Sequence, residues 1–259
     1  MSIVYFSHGG GPLPILGDPS HAKMNAFMTE LPKSLEEPEA IVVFSAHWEE
    51  NTIQVQSGEE PGILYDYYGF PKEAYQLQYP CKGHPVLANR IVELLKREGV
   101  QAALNPRRPY DHGSYIPLKM MYPKANIPVV QISLHRNLDP FTHLALGKAL
   151  QPLLREKILF IGSGFSFHNM REFDFSGVEK EDPKNNDFQE LLSEICCVEE
   201  YEPRWNAFLK WKEFPYAKYC HPREEHLLPL LVCAGLAPSK GKKVFDDYIL
   251  GKRAVAILW

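Results

Sequence analysis

Short apolar runs rich in Val, Ile and Phe recur along the chain and predict the strands of a sheet. They lie at 3–7, 40–47, 52–57, 128–134, 157–164 and 253–259. The runs at 40–47, 128–134 and 157–164 are almost continuously apolar, which is typical of strands covered on both faces by helices.

Segments with helical periodicity lie between these runs. They are 20–31, 84–99, 139–156, 182–197 and 223–237. Asp139 and Asp182 are expected N-caps because each precedes a proline at the first helical position, and Gly99 is an expected C-terminal stop. Strands that alternate with helices predict an α/β fold: one domain over 1–259, with a central mixed, mostly parallel sheet flanked by helices.

Four details of this fold are also predicted. The run at 52–57 is expected to be antiparallel to 40–47, and the tail "DDYILGKRAVAILW" to form a hairpin around Gly251 and Lys252. The aromatic stretch 61–80 has little periodicity, so it is expected to be a long ordered loop that walls a pocket. Helices 84–99 and 139–156 are expected on opposite or adjacent faces of the sheet.

Composition narrows the class of protein. The net charge is -4 and there is no long basic run, which argues against nucleic acid as a partner. The five cysteines are scattered without a C-x-x-C pair, which favours free thiols and a reducing compartment. We see neither a signal peptide nor a membrane span, so the sequence predicts a cytoplasmic protein without a membrane partner. Its oligomeric state stays open.

Histidines follow several of the predicted strands. His8, His47 and His135 stand at strand ends, and His168 comes four residues after the run at 157–164. Ligands of open α/β sheets bind at the carboxyl ends of the strands, so we expect the active site there. His8 and His47 are the stronger candidates because small residues flank both, whereas His135 is equally compatible with a capped turn.

Two further histidines come from other segments. His112 stands in "YDHGSY", and His226 in "HPREEHLLPL" is expected one turn into a helix. Neutral imidazole is a frequent ligand of metals such as iron and zinc, so a converging set predicts a metal site. The glycines at 9–11 would leave room for a substrate beside His8.

Several residues keep two interpretations. Glu224 and Glu225 are either charges in the first turn of a helix or a source of a carboxylate ligand. His221 is either structural or part of the cavity lining. A further group of histidines is expected at the surface or at helix caps: His21, His84 and His143. The absence of H-E-x-x-H and G-x-S-x-G motifs argues against a zincin peptidase and a serine α/β-hydrolase.

Five segments together resemble a known family. They are "SHGGGP", "VVFSAHWE", "YDHGSYIPL", "GSGFSFHNM" and "HPREEHLLPLL". The sequence resembles the class III, LigB-type extradiol ring-cleavage dioxygenases, in the branch of 4,5-DOPA dioxygenase-like proteins. The resemblance runs from about residue 3 to the end of the chain in the same order.

The resemblance implies a metal centre. It places the metal ligands at His8, His47 and His226, holding Fe(II) for activity or Zn(II) as a bound alternative. Other relatives use a glutamate as the third ligand, which leaves Glu225 as a rival to His226. His168 matches the catalytic histidine of the family and is also a possible fourth ligand.

The resemblance also implies a reaction and its catalysts. DOPA or a related catechol and O2 are the expected substrates, and the ring opens next to the diol to a semialdehyde. His168 is assigned as the base and His112 as the acid, with Asp111 as the residue that orients His112. Two other functions remain open: a non-enzymatic metal-pocket binding protein and a zinc-dependent hydrolase.

The substrate itself is not fixed by these patterns. The residues expected to contact it are Gly10, Tyr115, Phe165 and His221. Arg136 is either the partner of a substrate carboxylate or a member of a surface ion pair.

Overall fold

One eight-stranded sheet runs through the computed structural model, which describes residues 2–259. Its strands are β1 (Ser2–Ser7), β2 (Ala40–Glu50), β3 (Ile53–Gln56), β4 (Ala102–Asn105), β5 (Val129–His135), β6 (Ile158–Gly164), β7 (Lys242–Ile249) and β8 (Lys252–Leu258). The order across the sheet is β4-β3-β5-β2-β6-β1-β8-β7. The central strands β5, β2, β6 and β1 are parallel, whereas β3 is antiparallel to β5 and β8 to β1. The predicted single α/β domain with a mixed, mostly parallel sheet is therefore confirmed.

Eight α-helices flank the sheet within residues 2–259. They are α1 (Ala22–Glu30), α2 (Pro85–Arg97), α3 (His112–Met121), α4 (Pro140–Ala149), α5 (Pro183–Cys197), α6 (Tyr201–Leu209), α7 (Ala217–Cys220) and α8 (Leu228–Leu236). Both predicted aspartate caps are confirmed: Asp139 accepts the Thr142 N–H and Asp182 accepts the Asn185 N–H. None of the helices in the described chain is long and apolar enough to cross a membrane.

The buried side chains form one cluster on each face of the sheet. Along β2, Val42 and Phe44 belong to one cluster and Ile41 and Val43 to the other, as the two-residue period of a strand requires. Helices α2, α4, α5 and α8 cover the first face, and α1, α3 and parts of segment 61–80 cover the second. Helices α2 and α4 thus share one face, and the prediction that they lie on two different faces is wrong.

Other local predictions hold in part. Strand β3 runs against β2 as expected, but it does not pair with it, because β5 lies between the two. Strand β4 was not predicted, since its four residues "AALN" carry no β-branched side chain. The C-terminal hairpin is confirmed with Ile249 opposite Lys252, although β7 begins earlier than expected, at the polar residue Lys242.

Glycines allow α4 and α8 to approach closely behind the sheet. A methyl group on Gly147 would overlap the carbonyl oxygen of Val232, and one on Gly235 would overlap that of Leu144. Both obstacles are backbone atoms, so relief requires the helices to separate. This pair of helices supports the strands that carry the site described below.

We predict that Gly147→Ala destabilises the fold. The added methyl group should cost about 1–3 kcal/mol in the free energy of unfolding, the usual cost of overpacking, despite the better helix propensity of alanine. Urea denaturation measures this change. Lys148→Ala is the control, because Lys148 is exposed on the same helix and should leave stability nearly unchanged. Equal stability of the two variants would contradict the close packing.

Candidate active site

Two of the predicted site histidines come from the carboxyl ends of central strands. His8 directly follows β1, and His47 lies in β2, where the pairing with β5 shifts register between Phe44 and Glu49. Bulges of this kind are frequent beside active sites because they redirect a side chain. Because of this irregularity, His47 lies outside the regular pairing of β2 with β5, at the edge of the sheet where His8 also lies.

His226 reaches the same edge from a turn. Helix α8 begins only at Leu228, because Pro229 occupies its first turn, so His226 is not one turn inside a helix as predicted. Its backbone carbonyl accepts hydrogen bonds from the Phe165 N–H (2.9 Å) and the buried Tyr5 hydroxyl (3.2 Å). These two bonds fix the turn against β1 and the end of β6.

The three side chains converge through one type of atom. The Nε2 atom of His47 lies 2.9 Å from Nε2 of His8 and 3.3 Å from Nε2 of His226. Nitrogen ligands bound at about 2.1 Å to one ion at angles of 90–110° are separated by roughly 3.0–3.4 Å. The spacing of 3.3 Å falls within this range and that of 2.9 Å lies just below it, so both distances from His47 are close to those between ligands of one ion.

The hydrogen bonds on the far side of two rings determine where their protons lie. The Ser163 hydroxyl donates to the Gly113 carbonyl, so it must accept at 3.1 Å from Nδ1–H of His8. Nδ1–H of His226 donates to the Glu225 carboxylate at 2.8 Å. Nε2 of each ring is therefore unprotonated, and its lone pair faces His47.

This arrangement fits a cation better than it fits a purely hydrogen-bonded cluster. One Nε2–H on His47 could satisfy only one of the two facing lone pairs, which would leave the other buried without a partner. A bound metal ion would satisfy all three nitrogens. The donor set of three neutral imidazoles suits iron and zinc alike.

Burial keeps these imidazoles neutral. It lowers the pKa of His8 and His47 well below the usual range, and neighbouring histidines lower both further. Burial also lowers the pKa of His226 to about 3. Protons therefore compete poorly with a metal for these nitrogens.

Glu225 is turned away from the three Nε2 atoms. Its carboxylate contacts Nδ1 of His226, Nδ1 of His168 at 3.5 Å, and the Arg223 guanidinium at 3.0 Å. Burial alone would raise the pKa of Glu225, but the hydrogen bonds from His168 and His226 hold it well below the usual range. The contacts favour Glu225 as the partner of two histidines over its alternative as a metal ligand.

His168 lies flat against His226. Their ring centroids are 3.4 Å apart with an angle of 16° between the planes. An ion bound by an imidazole lies near the plane of its ring, and two stacked rings do not share such an ion. This geometry favours the interpretation of His168 as a base over that of a fourth ligand.

His112 is held by a residue that sequence reasoning missed. It is the first residue of α3, not part of a loop, and its Nδ1 lies 2.9 Å from Oδ1 of Asp66. The same carboxylate oxygen accepts the His112 backbone N–H at 3.0 Å. Asp66 comes from the aromatic segment 61–80, which carried no signal for this residue beyond its expected place in a pocket wall.

Asp111 has a different environment. Its carboxylate is buried and accepts hydrogen bonds from the Ser45 hydroxyl at 2.7 Å, from Arg108 at 2.9 Å and from Gln131. None of these three donors is the His112 ring. The contacts therefore do not support the prediction that Asp111 orients His112, and they indicate that it ties α3 to β2 and β5.

A cavity of about 410 Å³ opens beside the histidines. We call it the aromatic pocket; it is lined by His8, Gly9, Gly10, Gly11, Leu13, His47, Asp66, Tyr67, Tyr68, Phe70, His112, Phe165, His168, Met170, Phe173, Phe175, His226 and Leu250. Gly10 and Phe165 thus lie where a substrate could touch them. The expectation that segment 61–80 forms a pocket wall is confirmed by Asp66, Tyr67, Tyr68 and Phe70.

Two predicted substrate contacts lie outside this cavity. The Tyr115 hydroxyl donates to the Tyr67 hydroxyl at 2.6 Å, and Tyr67 in turn donates to the Ala74 carbonyl, so Tyr115 supports the wall from behind. Nε2–H of His221 donates to the Ser166 carbonyl at 2.9 Å, and the ring packs beside Phe188 and Trp211. The structure does not support a direct substrate contact for either residue.

The glycine loop has a partner that was expected at the surface. His21 is buried, and its Nε2 accepts the Gly10 N–H at 3.0 Å while its Nδ1 contacts Asp18 at 2.9 Å. Gly9 has φ +85°, and a Cβ there would press on the His21 ring at 2.8 Å. His21 therefore supports the glycine loop beside His8, and only glycine fits at position 9 of that loop.

The remaining histidines are structural. His84 caps α2 by accepting the Leu87 N–H, as predicted. His143 is buried, not exposed, and accepts the His135 N–H at 3.1 Å. His135 thus belongs to the capped turn after β5 and is not among the converging rings.

The fold and the site define a class: an α/β protein with a histidine-lined pocket at the carboxyl ends of its central strands. A family model described as the catalytic LigB subunit of aromatic ring-opening dioxygenase matches residues 4–256. The chain belongs to this family and is thereby related to dioxygenase enzymes.

Similar proteins are found in fungi, plants and bacteria. The chain is 35% identical to "Dioxygenase tasH" of Hapsidospora irregularis over 99% of this chain and 85% of that protein. It is 37% identical to the "4,5-DOPA dioxygenase extradiol" of Portulaca grandiflora over 92% and 87% of the two chains. The bacterial protein of the same name from Escherichia coli is 32% identical over 91% and 84%.

A solved structure has the same fold. The crystal structure of an uncharacterized protein from Escherichia coli K12 superposes with a TM-score of 0.80 at 27% sequence identity. The match covers 100% of this chain and 99% of the other. The agreement over nearly complete chains extends the resemblance from the motifs to the whole architecture.

Proposed function

We propose that this protein is a metal-dependent extradiol dioxygenase that opens a catechol-type ring with O2 and yields a semialdehyde. The observation that carries this proposal is the approach of Nε2 of His47 to Nε2 of His8, at 2.9 Å, and to Nε2 of His226, at 3.3 Å, beside the aromatic pocket. Membership of the aromatic ring-opening family supports the same reaction. Both atoms of O2 enter the product, so no external reductant is required.

The three converging histidines are proposed to hold Fe(II). When bound, Fe(II) would bring the catechol oxygens and O2 together and pass charge from one to the other. Zn(II) fits the same three donors but cannot change its oxidation state, so zinc-loaded protein should not support the reaction.

His168 is proposed to take the proton from a catechol hydroxyl. It lines the pocket, and its Nδ1 lies 3.5 Å from the Glu225 carboxylate, which would stabilise the imidazolium that forms. Arg223 holds that carboxylate from the opposite side at 3.0 Å.

His112 is proposed to supply a proton to oxygen later in the reaction. Its ring centroid lies 3.9 Å from that of His47, and Asp66 holds its Nδ1 side. A carboxylate in this position would orient the ring for proton transfer, as a general acid requires. The five cysteines are all free, which supports the further proposal of a cytoplasmic location.

We predict that the histidines divide into ligands and catalysts. Protein reconstituted with Fe(II) under anaerobic conditions should consume O2 when a catechol is added. His47→Ala should lose the iron, because each donor of a three-histidine site matters, and lose activity with it. His112→Ala should keep the iron but turn over roughly 10²–10⁴-fold more slowly, the usual loss for an acid–base catalyst.

Metal analysis beside oxygen uptake decides these roles. His84→Ala is the matched control, since His84 only caps α2 and should retain both iron and activity. Iron retention by His47→Ala with iron loss by His112→Ala would reverse the assignment. A fully iron-loaded protein that consumes no O2 with any catechol would favour a binding protein or a hydrolase.

We predict that Asp66, not Asp111, controls His112. Asp66→Asn should slow turnover about as much as His112→Ala, should shift the pH dependence of kcat, and should leave the free energy of unfolding nearly unchanged. Asp111→Asn should mainly lower stability, because it weakens buried bonds to Ser45, Arg108 and Gln131. Oxygen uptake at several pH values and urea denaturation distinguish the two effects. A shifted pH profile in Asp111→Asn alone would contradict this prediction.

A further inference from the structure

We propose that the preferred substrate is a catechol whose ring substituent is uncharged and apolar, and not one that carries a free carboxylate. This inference rests on the proposed function and specifies the substrate class of the same site. It follows from the side chains that surround the space beyond the histidines.

The pocket is larger than a bare catechol requires. Its volume of about 410 Å³ lies within the range of roughly 300–1,000 Å³ that is usual for sites of drug-sized ligands. Apolar side chains border the space away from the histidines: Leu13, Phe70, Phe165, Met170, Phe173, Phe175 and Leu250. A substituent on the ring would therefore be surrounded by hydrocarbon and aromatic faces.

The charge in the pocket is unsuited to an anion. Apart from the histidines, the only charged side chain that lines the described cavity is Asp66, and neither lysine nor arginine is present. Asp66 is already engaged by His112. A substrate carboxylate would lose its hydration without gaining a cationic partner, and Asp66 would repel it.

Arginines near the metal site belong to another cleft. Arg136 and Arg223 line a second cavity, of about 400 Å³, which shares only His47 and His226 with the aromatic pocket. The Arg223 guanidinium is occupied by two contacts of 2.6 Å to Glu49 and one of 3.0 Å to Glu225. Arg136, which the sequence suggested as a carboxylate partner, does not line the aromatic pocket.

The rim of the pocket is apolar as well. Tyr68 is 92% exposed, Met170 59% and Phe175 55%, and all three border the cavity. Exposed apolar groups collected at the mouth of a cavity are typical of a surface that meets an apolar ligand. The entrance of the pocket therefore favours an apolar substituent, as the interior does.

The test compares catechols of similar length that differ in charge. Fe(II)-reconstituted protein is assayed by oxygen uptake with 4-propylcatechol, 3-(3,4-dihydroxyphenyl)propionate, the methyl ester of that acid, and dopamine. We expect kcat/KM for 4-propylcatechol to exceed that for the propionate by at least about tenfold, the scale of discrimination by an apolar pocket. The methyl ester should recover most of the kcat/KM lost with the propionate, because it removes the negative charge and keeps a similar substituent length.

A charge-installing variant strengthens the test. Phe175→Arg should raise kcat/KM for the propionate relative to 4-propylcatechol by at least several-fold. Phe141→Arg is the control, because Phe141 is 58% exposed on α4 and does not line the pocket, so the ratio should stay unchanged.

Two different failures can be told apart. A propionate or dopamine preference over 4-propylcatechol would overturn the substrate class while leaving the dioxygenase function intact. No oxygen uptake with any of the four compounds, by protein with a full iron load, would overturn the proposed function and the substrate class together.

Discussion

The orientation of ring nitrogens is the constraint on which the proposed chemistry depends. His8 and His226 each use Nδ1–H in a hydrogen bond, to Ser163 and Glu225, and thereby present Nε2 lone pairs toward Nε2 of His47. A single N–H on His47 could satisfy only one of these two lone pairs, whereas a cation between the rings would satisfy both. The hydrogen bonds to Ser163 and Glu225 thus determine which nitrogen of each ring is available to bind a metal.

The residues that accept these hydrogen bonds come from elements that are far apart in sequence. Ser163 comes from β6, next to β1 in the sheet, so it reaches the ring of His8 directly. Glu225 and His226 share a turn whose backbone is hydrogen-bonded to Tyr5 and Phe165. The site is therefore built mainly on strands and fixed turns, which favours precise placement of the ring atoms.

Sequence reasoning found the residues whose signals are local. Strand-end histidines, apolar runs and aspartate–proline caps each have a pattern that a single segment carries, and the parallel core, the caps and the gathering of His8 and His47 could be predicted from them. Asp66 could not, because its role depends on a contact between a loop without periodicity and the start of α3. Likewise, no pattern around His21 indicated that the glycine loop, 11 residues earlier, would use its imidazole as an acceptor.

The errors have the same origin. Asp111 is adjacent to His112 in sequence, but consecutive residues at a helix start point in different directions, so adjacency did not imply contact. Tyr115 and His221 have side chains suited to a pocket, yet neither lines it: the Tyr115 hydroxyl bonds to Tyr67, and Nε2–H of His221 bonds to the Ser166 carbonyl. The type of a residue shows which chemistry its side chain can perform, whereas its hydrogen-bond partners show which role it has in the fold.

The central claim is that three Nε2 atoms share one ion, and a crystal structure of anaerobically iron-loaded protein, with anomalous data at the iron edge, tests it most directly. We predict one anomalous peak at about 2.0–2.3 Å from Nε2 of His8, His47 and His226, with Glu225 outside bonding distance. A peak bound instead between His168, Glu225 and His226, or none near His8 and His47, would contradict this account.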